Sequence, residues 1–142
     1  MRNFMAIALV MASLTSIAQA APQEVNLNCS VISNGNGKNW EEVASLNKTL
    51  STSEMFNELD LKVNSKFGEK FDVQVGVVFT SGSALLTVST DIPGTNASIL
   101  NQNRSDLEEL DVNKNIVVTN STFTLKKTAK KYVSYGITCI IT

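Results

Sequence analysis

The chain has 142 residues, 43% of them hydrophobic and 18% charged, with 12 Lys plus Arg against 13 Asp plus Glu, two cysteines and no histidine. A charge balance this close to zero excludes a nucleic-acid or acidic-lipid binder held by bulk attraction. The missing histidine excludes Ser-His-Asp and Cys-His catalysis and removes the imidazole as a base or metal ligand.

Residues 1–20 carry the parts of a secretory signal peptide: Arg2, an apolar stretch from Phe4 to Leu14, and the small-x-small triplet Ala18-Gln19-Ala20. The expected mature protein is one domain, 21–142, periplasmic or secreted, and no later segment approaches the roughly 18 apolar residues of a membrane helix. Asn-x-Ser/Thr sequons begin at Asn28, Asn47, Asn96, Asn103 and Asn120, as chance produces in a chain this rich in Asn, Ser and Thr.

From Glu24 to Ile32, Val25, Leu27, Cys29 and Val31 alternate with polar residues, the period-two signal of a half-buried strand. The run Ser33 to Asn39 holds Asn-Gly turn chemistry. Trp40 to Leu50 reads as a strand through Ala44, Leu46 and Leu50, although Asn39 and Glu42 resemble a helix capping box. Leu59, Leu61 and Val63 alternate, a turn centred on Gly68 follows, and Phe71, Val73, Val75, Val77 and Phe79 form the longest alternating run, so a hairpin is expected. Ser81-Gly82-Ser83 leads into Ala84 to Thr90, and Asp91-Ile92-Pro93-Gly94 is a turn. Asn96 to Asn103 is a candidate edge strand, and Ser105 with Glu108 suggests a short capped helix ahead of Leu110. Ile116 to Leu125 and Val133 to Ile141 complete the set, the latter with Cys139 on its apolar face.

The expected fold is therefore all-β: a single-domain sandwich of about seven or eight mostly antiparallel strands. Its terminal strands are joined by a Cys29–Cys139 disulfide, the expected state of two cysteines in an exported chain. An up-and-down barrel is the alternative if the terminal strands pair edge to edge.

Candidate chemistry is sparse. The two cysteines lack the spacing of a zinc site or a redox motif, and no cofactor is expected. Paired carboxylates for glycan hydrolysis are sought at Glu41 with Glu42 and among Asp106, Glu108, Glu109 and Asp111. Asp111-Val112-Asn113-Lys114-Asn115 opens like a calcium loop, but Ile116 replaces the glycine and Thr122 the bidentate glutamate, so a turn is expected and no metal site. Lys126, Lys127, Lys130 and Lys131 with Tyr132 form the one concentrated charge patch, read either as an anion site or as lysines that guard an exposed turn against aggregation. Trp40, the lone Trp, is expected in the core; beside the Asn/Gly loop it could instead stack on a sugar ring. Together these features point to a non-enzymatic binding module for a protein or an envelope glycan. A small carboxylate-dependent hydrolase and an anion-binding module are the alternatives.

Overall fold

The computed structural model describes residues 22–107 and 117–142, so the signal segment and the calcium-like stretch Asp111 to Asn115 lie outside the described residues. Eight strands run in order: β1 Glu24–Gly35, β2 Glu41–Ser51, β3 Phe56–Asn64, β4 Lys70–Thr80, β5 Ser83–Asp91, β6 Ser98–Asp106, β7 Val117–Thr128 and β8 Lys131–Ile141. They form two four-stranded sheets, β2-β1-β8-β7 and β3-β4-β5-β6, with every pairing antiparallel. The expected sandwich is realised, with the strand order of the alternative barrel. The strands follow one another in up-and-down order and the terminal strands do pair, yet among the described residues no ladder joins β2 to β3 or β6 to β7, so the closed circuit is split into a sandwich.

The alternating residues of each strand supply the core. Val25, Leu27, Cys29 and Val31 of β1 share one buried cluster with Val73, Val75 and Val77 of β4 and Ala84, Leu86 and Val88 of β5, and Tyr135, Ile137, Cys139 and Ile141 extend it from β8. Cys29 stands directly opposite Cys139 in the β1–β8 ladder, and the two are bridged. A bridged pair fits an oxidising compartment outside the cytoplasm. Among the described residues no helix is long and apolar enough to cross a membrane.

Local chemistry explains where the strands bend and end. Asn36 (φ 54°) and Gly37 (φ 72°) both occupy the left-handed region, and Lys38 donates its N–H to the Gly35 carbonyl, closing the tight turn that matches the twist of a hairpin. Strand β1 runs past its expected end at Ile32 because Ser33, Asn34 and Gly35 keep pairing with Tyr135, Ser134 and Val133. Strand β6 runs to Asp106, so Ser105 pairs with Ala84 instead of capping a helix; the rest of that expected helix lies outside the described residues.

The seam between β6 and β7 is closed by side chains. Asn101 Nδ2 donates to the Asn120 carbonyl at 2.7 Å and Asn103 Nδ2 to the Val118 carbonyl at 2.9 Å. These amides satisfy edge carbonyls that a ladder would otherwise have to satisfy. Replacing both Asn101 and Asn103 by Ala is expected to cost about 1 kcal/mol per lost bond and to speed amide hydrogen exchange in β7. Unchanged exchange would show that the seam is held by packing alone.

Candidate functional site

Because the strands alternate in direction, the β1–β2, β3–β4, β5–β6 and β7–β8 connections all gather at one end of the sandwich. Lys38, Lys66, Lys70 and the Lys126–Lys131 cluster lie there, whereas Glu24, Glu54 and Asp106 lie toward the other end. Two concavities open between the hairpins. The first, of about 580 Å3, is bounded by the β1–β2 turn, Phe67 of the β3–β4 turn and Tyr132 of β8. The second, of about 700 Å3, lies between Gly68 to Lys70, the Pro93–Gly94 turn and Thr124 to Lys127. Both volumes fall within the roughly 300–1,000 Å3 of small-molecule sites.

Lys127 lines both concavities and marks the divide between them. Its ammonium meets Oε1 of Glu69, which is only 5% exposed, while Oε2 accepts a 2.7 Å hydrogen bond from the Tyr135 hydroxyl. Tyr135 is fully buried, packed edge-on against Phe71 at 5.1 Å and stacked on Phe123 at 5.2 Å. Burial holds its phenol above the ordinary value, with the Ser65 hydroxyl acting weakly in the opposite direction. A carboxylate taken out of water needs its charge answered, and here Lys127 supplies the counter-charge and Tyr135 the hydrogen bond to Oε2. Sequence alone offered no signal for Glu69, an acid in a turn whose partners are 58 and 66 positions away.

In the first concavity the Phe67 ring lies on Gly35, so closely that a Cβ there would stand 2.6 Å from the ring. Gly35 is thus needed for close approach. Lys66 is paired with Glu41 and sits 5.5 Å from the Phe67 centroid. Ser33, on the wall, is 1% exposed, and its hydroxyl has no hydrogen-bond partner. Asn36 is anchored to the opposite strand: its Oδ1 accepts from the Tyr132 N–H at 2.8 Å and its own N–H donates to the Tyr132 carbonyl at 3.0 Å.

The structure divides the lysine patch. Lys127, Lys131 and Tyr132 line the first concavity, Lys126 and Lys127 the second, and Lys130, in the turn, lines neither. Trp40 belongs to neither as well. It is 47% exposed, which corrects the core expectation, and it lies on the outer face of the sheet beside Ile32, over Gly136. A bulge explains this: Ala44 opposes Val31 and Glu42 opposes Ile32, leaving Val43 as an extra residue. The extra residue inverts the alternation, so even-numbered positions face the core from Ala44 onward and the outside before it.

The same inversion separates the carboxylates proposed for hydrolysis. Glu41 lines the first concavity, whereas its neighbour Glu42 points to the outer face, where Oε2 accepts from Ser30 Oγ at 2.8 Å. Asp106 is exposed at the opposite end, and Glu108, Glu109 and Asp111 lie outside the described residues. Among the described residues no three His, Cys, Asp or Glu side chains are gathered to hold a metal. Neither protein-family models nor curated proteins nor solved structures give a match to this chain.

Proposed function

We propose that the protein is a periplasmic or secreted binding module that captures its ligand, without chemical turnover, in the first concavity at the four-hairpin end. One observation carries the reading: a groove of about 580 Å3 with an aromatic wall, Phe67 and Tyr132, whose polar groups come from three separate hairpins. A rigid sandwich presenting loops from one end is a common way to hold a recognition surface in place. The aromatic faces supply contact area, and the amides and lysines at the mouth supply orientation. Against the hydrolase reading stands the placement of Glu41 and Glu42, which point to opposite faces of one strand rather than flanking one bond.

The test is a thermal-shift screen of the disulfide-intact protein against neutral and anionic saccharides and acidic peptides. A ligand present at a hundredfold its Kd adds about 2.7 kcal/mol of stability, a rise of several degrees. That rise is expected to vanish in Tyr132→Ala and to persist in Trp40→Ala. The reverse pattern would move the site to the outer sheet face, and release of product from any saccharide would replace the module by an enzyme.

A further inference from the structure

We infer that the groove takes a sugar carrying one anionic group, a uronate or a sugar phosphate, with the anion between Lys38 and Lys131 and the ring against Phe67 and Tyr132. The inference rests on the proposed groove and names the chemistry of its ligand.

The cations of the groove are not equivalent. Lys66 is held by Glu41 and Lys127 by Glu69, so each already has its counter-charge. Among the described residues Lys38 and Lys131 have no carboxylate partner, and both line the groove. They reach it from two hairpins that are fastened together at Asn36 and Tyr132. Two unanswered cations on the lining of one concavity favour an anion there.

The groups that remain select a hydroxylated ring. The Ser33 hydroxyl is buried and unpartnered on the groove wall. Native proteins leave few buried polar groups unsatisfied, so such a group points to a ligand that completes it. The oxygen of the Asn36 amide is occupied by the Tyr132 N–H, which leaves its NH2 free to donate, and Asn39 adds a second amide. Donors of this kind match ring hydroxyls and the oxygens of a carboxylate or phosphate. Tyr132, 44% exposed, offers an aromatic face on which the C–H side of a sugar can rest, with the partly buried Phe67 beside it in the lining.

Calorimetric titration of the disulfide-intact protein with glucuronate, glucose 6-phosphate, glucose and inorganic phosphate, at low and moderate salt, tests this. At least one of the two anionic sugars is expected to bind about tenfold more tightly than glucose or inorganic phosphate, and to weaken as salt rises. Which of the two binds identifies the anion. The double variant Lys38→Ala with Lys131→Ala is expected to abolish that preference. Ser33→Ala is expected to weaken binding about fivefold while leaving the midpoint of the free protein unchanged or higher, since a merely structural hydroxyl would lower it. Equal binding of glucose, equal binding of inorganic phosphate, or full affinity in the double-lysine variant overturns the inference. So does the absence of binding by both anionic sugars. If in that case another ligand still depends on Tyr132, the groove stands and only its ligand chemistry is wrong; if no ligand depends on Tyr132, both readings fall.

Discussion

Replacing Cys29 and Cys139 together by alanine is expected to lower the thermal midpoint by about 6–25 °C. Loss of a native disulfide in a small exported domain costs about 2–5 kcal/mol, and at this size each kcal/mol moves the midpoint by roughly 3–5 °C. The bridge spans a sequence separation of 110, so in the unfolded chain it ties nearly the whole described sequence into one loop. In the folded protein the two cysteines are already opposite each other in a ladder that runs from Leu27↔Ile141 to Gly35↔Val133. Its effect therefore falls mostly on the unfolded ensemble, and the native packing of the alanine variant is expected to be retained. Scanning calorimetry of the oxidised protein and the double variant measures the difference. Coincident midpoints would mean that the β1–β8 ladder alone secures the ends, and free thiols in protein recovered from its own compartment would remove the bridge from the account.

Tyr135 carries the second large effect. Tyr135→Ala empties the space between Phe71 and Phe123 and is expected to destabilise the domain by about 3–5 kcal/mol. Tyr135→Phe keeps the ring and removes only the hydroxyl that donates to Glu69 Oε2, at a cost of about 1.5–3 kcal/mol, the range for a hydrogen bond to a charged group. The same pair sets a pH response. Burial raises the Tyr135 phenol above its ordinary value of 10.0, so the folded protein retains a proton that the unfolded chain releases first as the solution becomes alkaline. The stability linked to this group is complete below about pH 10 and is lost as pH climbs through the folded-state value. Urea titrations from pH 8 to 11 are expected to show that loss in the native protein and a smaller one in Tyr135→Phe. Parallel curves would show that the proton on Tyr135 is not linked to folding.

The strands of this protein are legible because their signal is local. Phe71, Val73, Val75, Val77 and Phe79 alternate without interruption, and all five are buried. Position Ser33 shows the limit: it lies in an Asn/Gly/Ser-rich stretch that reads as a turn, but the facing residues of β8 are free to pair and the ladder continues through it. Trp40 was unreadable for another reason, since the residue that turns it outward is the extra Val43, whose position depends on how β2 sits against β1. The lysine patch was visible as composition, but alternation along β7 and β8 together with the turn at Lys130 sends its members to different places.

What the amino-acid sequence determined by itself was the all-β class, the turn positions and the single possible disulfide partner, because period-two alternation, Asn-Gly chemistry and a count of two cysteines are properties of short segments or of composition. Only the tertiary structure decided that, among the described residues, no ladder joins β2 to β3 or β6 to β7, that Glu69 is buried against Lys127 and Tyr135, and that Ser33, Phe67 and Tyr132 share one groove. Those outcomes follow from register and from the stacking of two sheets. They are set by contacts among residues far apart in the chain, to which the periodicity of any one strand is blind.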